Sequence, residues 1–250
     1  MHRMVIGLCA LLLTACVSIT PMAPESAKNL KNSKVVVAFF DGVEQINYRE
    51  DVYLVLAVAQ VASNSVYSGH WDSNKDISAI HVSELGKLGI RAVSLYDSIS
   101  DPERVELNGV QKDMYAAYTG ANKTKDASLL NPRFRDLMVE KGNDYLIWIT
   151  WLGYQFHMRT LGLQPMESYT SAFWIFDLRR NEVAWFGSIS SLGTVSTEGQ
   201  TGKAFLEKDD LGGLKARVAF MIKERYRTRV SAGITRDGLG KLMGLESKDQ

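Results

Sequence analysis

Cysteine is scarce in this sequence, and both copies stand near its start. They are Cys9 and Cys16 in a chain of 250 residues, so no cysteine follows position 16. A disulfide bond within the rest of the chain is therefore excluded, and a folded domain there must be stabilised by packing. With 46% hydrophobic residues, the chain has enough apolar material for a sizeable core.

The chain also lacks net charge. It has 29 Lys and Arg against 28 Asp and Glu, and this balance provides no overall field to attract nucleic acid. One local run, residues 215–229, holds six basic residues against Glu224 alone. We predict that the run is the solvated face and C-terminal end of a helix, where the helix dipole favours cations. A functional anion site is the alternative.

Sequence motifs of common enzyme classes are missing as well. The chain has no P-loop, no Gly-x-Gly-x-x-Gly after a strand, no His-Glu-x-x-His and no Gly-x-Ser-x-Gly. It also has no run of 18 apolar residues, the minimum expected of a membrane-spanning helix. We therefore predict a protein that is not an enzyme and that needs no cofactor.

The first sixteen residues carry an export pattern. Arg3 provides a short positive segment, and residues 5–13 are an apolar stretch that is too short to span a bilayer. The small residues Thr14 and Ala15 then precede Cys16. This order of features is typical of a cleaved leader.

Residues 13–16, Leu-Thr-Ala-Cys, resemble the lipobox of bacterial lipoproteins. The resemblance implies a signal peptide over residues 1–15, cleavage before Cys16, and lipidation of Cys16 with palmitate-like acyl chains. Val17 stands where an Asp would resemble an inner-membrane retention signal, so the outer membrane is favoured. An ordinary secretory signal and a buried first helix are the alternatives.

Composition divides the remaining chain into three parts. Residues 16–33 are rich in Ser, Asn and Pro and are predicted to form a disordered, lipidated tether with a reach on the order of 20–25 Å. Residues 34–228 form a single α/β domain. Residues 229–250 have few apolar side chains and are predicted to be a loose tail.

Hydrophobic patterns within the domain predict one mixed α/β (α+β) sheet with helices packed on it. Two strands over residues 169–176 and 182–190 form an antiparallel hairpin that turns through residues 177–181. The other predicted strands are residues 34–41, 52–62, 90–96 and 144–154. The predicted helices are residues 78–88, the second half of 101–118, a segment from Asn131-Pro132 to Gly142, and one capped by Asp209 or Asp210, with Leu211, Leu214, Val218, Met221 and Ile222 on its apolar face.

Two stretches resemble a known group of envelope lipoproteins. Residues 143–149 follow a helix with Asn-Asp-Tyr-Leu-Ile-Trp-Ile, and residues 173–185 contain Asp-Leu-Arg-Arg-Asn-Glu-Val-Ala-Trp. The pattern resembles α/β domains like the N-terminal domain of TolB, which include the curli secretion lipoprotein and lipoprotein activators of penicillin-binding proteins. Asn181 stands where Gly is usual, and Asn also accepts a left-handed backbone. The resemblance implies a non-enzymatic role with an envelope protein partner.

Candidate metal or acid–base residues lie in one acidic loop. They are His70, Asp72, Asp76 and His81, which could gather imidazole and carboxylate groups before a helix. The favoured interpretation is a solvated loop in which Asp76 or Ser78 caps the helix. The alternative is a periplasmic, metal-assisted hydrolase.

The aromatic residues are concentrated between positions 145 and 186. Trp148, Trp151, Tyr154, Phe156 and residues 173–176 could line a groove for a small ligand, but a packed core is the favoured interpretation. The leading hypothesis is a membrane-anchored periplasmic lipoprotein that binds or scaffolds an envelope protein. The hydrolase and a small-ligand-binding lipoprotein remain as alternatives.

Overall fold

The computed structural model describes residues 20–40, 47–54, 57–66, 71–119, 130–157, 166–194, 202–231 and 234–245. The predicted signal peptide, Cys16 and His70 lie outside these ranges. The helices are α1 (Pro24–Lys31), α2 (Ser73–Lys87), α3 (Leu95–Ser98), α4 (Asp101–Thr119), α5 (Pro132–Glu140), α6 (Gly202–Arg225) and α7 (Leu239–Leu242). The strands are β1 (Lys34–Phe40), β2 (Asn47–Leu54), β3 (Ala57–Val66), β4 (Arg91–Ser94), β5 (Tyr145–His157), β6 (Met166–Asp177), β7 (Glu182–Thr194), β8 (Arg229–Ser231) and β9 (Ile234–Arg236).

The predicted mixed sheet is confirmed. Strand β1 pairs in parallel with β4 on one side and with the first half of β5 on the other. Strands β5, β6 and β7 continue the sheet in antiparallel order. The antiparallel hairpin of β2 and β3 joins the same sheet. Strand β2 pairs with β5 at one described position, Glu50 with Phe156, on the edge of β5 that also pairs with β1. Strands β8 and β9 form a separate two-stranded sheet.

Strand β1 shows why the sheet has helices on both faces. All six residues from Val35 to Phe40 are buried, as expected of a parallel strand that is covered on both sides. Val35, Val37 and Phe39 belong to a first core cluster, which also contains side chains of α1, α2, α6 and α7. The intervening residues of β1 belong to a second core cluster with side chains of α4 and α5. The domain therefore has three layers, with the sheet in the middle.

The predicted hairpin is confirmed, and its turn explains its sequence. The Asp177 Oδ1 atom accepts hydrogen bonds from the backbone N–H groups of Arg179 and Arg180, at 3.1 and 2.9 Å. Asn181 has a φ of 55°, the left-handed conformation in which Asn replaces Gly at low cost. The motif that suggested the family resemblance is thus a turn signature.

Local signals also placed α5 correctly. The Asn131 side chain caps the helix by accepting from Arg133 N and Phe134 N, and Pro132 occupies the first turn. Gly142 follows the helix with a φ of 79°. The predicted apolar face is buried through Phe134, Leu137 and Met138.

Three other predicted elements differ in extent. Helix α2 begins earlier than predicted because the Asp72 side chain, rather than Asp76 or Ser78, caps it. Residues 101–118 are helical throughout, not only in their second half. The single strand predicted over residues 52–62 is divided between the antiparallel strands β2 and β3.

Asp209 and Asp210, one of which was predicted to be the N-cap of the last long helix, lie inside α6. The helix is interrupted at Lys208–Leu211, where Asp209, Asp210 and Leu211 have positive φ values. The five residues of the predicted apolar face are all buried. They are Leu211, at the end of the interruption, and Leu214, Val218, Met221 and Ile222 in the part that follows.

The predicted tether and tail are wrong for the described residues near both ends of the chain. Residues 24–31 form helix α1 within the region predicted to be disordered, and Ala27 and Leu30 are buried. Near the other end, Leu239, Leu242 and Leu245 are buried in the same first core cluster. Each segment has few apolar residues, but these are enough to order both segments because the segments pack against each other.

Candidate functional site

The N-terminal segment that follows Cys16 is attached to the folded domain. The Trp185 indole N–H donates to the Thr20 carbonyl at 2.9 Å, and the Met22 N–H donates to the Leu242 carbonyl at 2.8 Å. The Lys31 ammonium donates to the Leu245 carbonyl at 3.0 Å. These contacts hold Thr20, Met22 and Lys31 against the rest of the domain. The sequence signal that could have revealed α1 is Pro24 at its first position, followed by Ala27 and Leu30 at helical spacing.

A surface hollow of about 430 Å³ lies beside this segment. Its lining residues are Met22, Pro24, Ala27, Lys28, Lys31, Asn32 and Gly244. The hollow combines apolar atoms with two lysine side chains, so it can accommodate a group that is anionic at one end and apolar at the other.

A second hollow of about 400 Å³ lies next to it, around the turn between β6 and β7. Asp144 accepts from the backbone N–H of Lys34 at 2.9 Å and forms an ion pair with Arg179 at 2.5 Å. The Tyr145 hydroxyl donates to Asp177 at 3.1 Å. Burial, together with the negative charge of Asp177, raises the pKa of Tyr145 to about 12. These polar residues of the family motif therefore bind one another and hold the start of β5 to the turn.

Two described residues of the predicted acidic loop have structural partners at the start of α2. Asp72 caps the helix and forms an ion pair with Arg104 at 2.5 Å. Asp76 accepts from the Trp71 indole N–H at 2.8 Å. The predicted capping residues, Asp76 and Ser78, are wrong, because both lie inside α2 and the Asp72 side chain caps the helix.

His81, the third described member, is a buried residue of α2 that packs against the first core cluster rather than part of a loop. Its Nδ1 atom is 2.8 Å from the Tyr226 hydroxyl, and its ring packs edge-on against Phe173 at 5.3 Å. Burial lowers the pKa of His81 to about 3, so the ring is neutral. The structure does not bring His81 together with Asp72 and Asp76, and the described residues contain no group of three His, Cys, Asp or Glu side chains suited to a metal.

The basic run of residues 215–229 is not only the solvated helix face that was predicted. Arg217 forms an ion pair with Glu167, whose carboxylate is fully buried and also accepts from the Tyr154 hydroxyl at 2.8 Å. Other members of the run, such as Arg227 with Glu224, form pairs near the surface. Arg217 therefore serves the fold, and sequence spacing could not distinguish it from its neighbours.

The predicted aromatic groove is a packed core wherever the structure describes its side chains. Trp148 and Trp174 are buried with their ring centroids 5.2 Å apart, and the Tyr118 ring lies 4.8 Å from that of Trp174. Tyr154 is also buried. The side chains of Trp151 and Phe156 lie outside the described part.

One edge of the sheet is open along a long strand. Strand β7 pairs with β6 from Glu182 to Thr194, and no strand of the described ranges pairs with its other edge. Ser190, in the C-terminal half of this strand, is exposed. An open edge presents backbone N–H and C=O groups that can pair with an added strand.

The fold defines a three-layer α/β domain, and its structural neighbours include bacterial lipoproteins. No protein-family model and no curated protein matches the sequence. Lipoprotein GNA1162 from Neisseria meningitidis is 16% identical over 77% of this chain and 99% of its own, with a TM-score of 0.35. The hypothetical protein CT253 from Chlamydia trachomatis is 11% identical over 77% and 90%, with a TM-score of 0.38. The C-terminal domain of LpoB from Escherichia coli is 10% identical over 68% and 95%, with a TM-score of 0.27.

No helix within the described ranges combines the length and the hydropathy needed to cross a bilayer.

Proposed function

We propose that the chain is an envelope lipoprotein, anchored through Cys16 at the periplasmic face of the outer membrane, that binds a protein partner and does not catalyse a reaction. The observation that carries this proposal is the sequence Leu13-Thr14-Ala15-Cys16 after a short apolar leader. More than one acyl chain on Cys16 would hold the protein firmly, since each buried methylene contributes about 0.8 kcal/mol.

The open edge of β7 is the surface that we assign to the partner. An extended segment of another protein could pair with this edge, so that backbone hydrogen bonds contribute affinity. The anchor would raise the effective concentration of a partner that is confined to the same membrane.

Replacing Cys16 by Ala is expected to move the protein from the membrane fraction to the soluble periplasmic fraction and to abolish incorporation of labelled palmitate. Cys9→Ala is the matched control, because it removes the other cysteine without changing the proposed acceptor. Membrane fractionation and mass spectrometry of the mature N-terminus measure both effects. A Cys16→Ala chain that still incorporates labelled palmitate, or a wild-type chain that incorporates none, would contradict the anchor.

Partner binding at the sheet edge is tested by site-specific photo-crosslinking in intact cells. We expect a photoreactive amino acid at Ser190 to give a discrete protein adduct. The same amino acid at Glu140, an exposed position on α5, is expected to give none. Equal adducts at both positions, or none at Ser190 in correctly anchored protein, would exclude this edge as the binding surface.

A further inference from the structure

We infer that the end of the domain around α1 rests on the membrane surface and binds anionic phospholipid headgroups. The inference deepens the proposed function and rests on anchoring at Cys16. Its surface, which we call the anchor end, is defined by Lys28 and Lys31, which line the 430 Å³ hollow beside α1. It also includes the paired residues Lys34 and Arg91, and Arg91 donates to the carbonyl of Asn32, another lining residue of the hollow.

The chain between Cys16 and the first fixed residue of the domain is short. Thr20 is held by Trp185, so only four residue steps separate Cys16 from a fixed point of the fold. Four steps span at most about 14 Å, whatever their conformation. The headgroup layer of one leaflet is itself about 5–8 Å thick. Thr20 would therefore lie within about 9 Å of the outer limit of the headgroups.

The distance of about 9 Å between Thr20 and the headgroups is comparable with the range of electrostatic attraction in salt solution. The Debye length is about 8 Å at physiological ionic strength, so charges at this height act on the headgroups. Lys28 lies one helical turn after Pro24, and both residues line the hollow that also contains Met22. Met22 follows Thr20 by two residues, at most about 7 Å along the chain, so the hollow and its lysines belong to the part of the domain that a short tether would bring near the lipid.

Few carboxylates lie beside the cations of the anchor end in the described structure, and the Asp144 carboxylate near the Lys34 backbone is paired with Arg179. Lys31 donates to the Leu245 carbonyl, and Arg91 donates to the Asn32 carbonyl at 3.2 Å. Lys28 and Lys34 are exposed. Among the described residues, none of these four cations forms an ion pair with a carboxylate. Glu25 contributes one negative charge to the first turn of α1.

The composition of the hollow fits a phospholipid headgroup. Lys28, Lys31 and the Asn32 side chain provide positive charge and hydrogen-bond donors for a phosphodiester. Met22, Pro24 and Ala27 provide apolar contacts for the glycerol carbons next to it. The mature chain as a whole would have no net charge, because loss of Arg3 leaves 28 basic and 28 acidic residues, so attraction to anionic lipid depends on this local cluster.

The test uses the chain from residue 16 onwards with Cys16→Ala, so that binding does not depend on lipidation. Vesicles of 30% phosphatidylglycerol in phosphatidylcholine are compared with pure phosphatidylcholine vesicles by co-sedimentation. We expect binding to the anionic vesicles only, weakening as salt is raised from 50 to 300 mM. Equal binding to both vesicle types, or binding to neither, would overturn the inference.

Charge neutralisation locates the binding surface. Each cation near an anionic surface is expected to raise the partition coefficient about fivefold, so the double variant Lys28→Gln, Lys34→Gln should lower it about 25-fold. The matched control is Lys75→Gln, Lys112→Gln, which removes the same charge from exposed positions on α2 and α4. The control positions lie towards the opposite end of β1, where Tyr115 of α4 packs against Phe40. Equal losses in the two pairs would overturn the assignment to the anchor end.

Failure of this inference is distinguishable from failure of the proposed anchor. If the wild-type chain carries no lipid while the Cys16→Ala chain binds anionic vesicles selectively, the anchor is wrong and the binding surface is supported. If the wild-type chain is lipidated while the Cys16→Ala chain ignores anionic lipid, the anchor is supported and the binding surface is wrong.

Discussion

Replacing Arg217 by Met is expected to lower the free energy of unfolding by about 3–5 kcal/mol, because it leaves the buried carboxylate of Glu167 without its cation. Glu167 is completely inaccessible, and its Oε2 atom accepts from Arg217 Nε at 3.1 Å. Methionine preserves much of the apolar stem that packs here while removing the charge. Urea unfolding followed by tryptophan fluorescence measures the loss.

The double variant Glu167→Leu, Arg217→Met is the control for this prediction. Removing both charges is expected to restore much of the stability, because a buried ion pair is often replaced by apolar side chains without loss. The Tyr154 hydroxyl would then lose its carboxylate acceptor, so recovery should be incomplete. A loss below about 1 kcal/mol for the single variant would mean that the pair behaves as a surface pair, contrary to the burial of Glu167.

Lowering the pH from 7.5 to 4.5 is expected to remove about 2–3 kcal/mol of stability through His81. Burial lowers the pKa of His81 from 6.5 to about 3 in the folded state. The unfolded chain therefore binds a proton below pH 6.5 that the folded chain does not bind until about pH 3. The contribution of the neutral ring is complete above pH 6.5 and is lost progressively as the pH falls towards 3.

The variant His81→Gln isolates this effect. Glutamine retains a hydrogen-bonding group for the Tyr226 hydroxyl but does not titrate. Whatever its stability at pH 7.5, its free energy of unfolding should change less between pH 7.5 and 4.5 than that of the wild type, by about 2–3 kcal/mol. Parallel pH profiles for the two proteins would show that His81 is not the titrating group.

The elements that the sequence predicted well are those with local signals. Strand β1 is a short apolar run that is buried on both faces, and α5 has Asn131 and Pro132 at its start. The turn at Asp177 is specified by hydrogen bonds between neighbouring residues. In each case the residues that determine the conformation lie within a few positions of one another, so their spacing is sufficient to predict it.

The elements that the sequence predicted poorly depend on distant partners. Helix α1 has only Ala27 and Leu30 as buried residues, and its stability comes from packing near the other end of the chain. Arg217 is one of six cations in its run, and only the fold shows that a strand supplies Glu167 as its partner. Neither contact leaves a periodic pattern that could have been recognised in advance.

The residues of the candidate site show the same difference between local signals and distant contacts. The prediction of Cys16 as the lipidated residue depends on a short motif and was made from sequence alone. His81 was grouped with Asp72 and Asp76 because they are neighbours in sequence, but it points into the core. The surface at α1 could not be predicted, because Lys34 and Arg91 come together only when β1 pairs with β4.

The hydrogen bond between Trp185 and Thr20 also restricts where an anchored domain could work. If residues 20–33 were free, an anchored domain could move through a thicker layer beside the membrane and turn in any direction. With Thr20 held, a domain anchored at Cys16 would stay close to the lipid and would present mainly the side that carries Thr20. A binding protein that floats freely between two membranes would seldom come within reach, whereas one embedded in or resting on the same leaflet would meet the domain by diffusion in two dimensions.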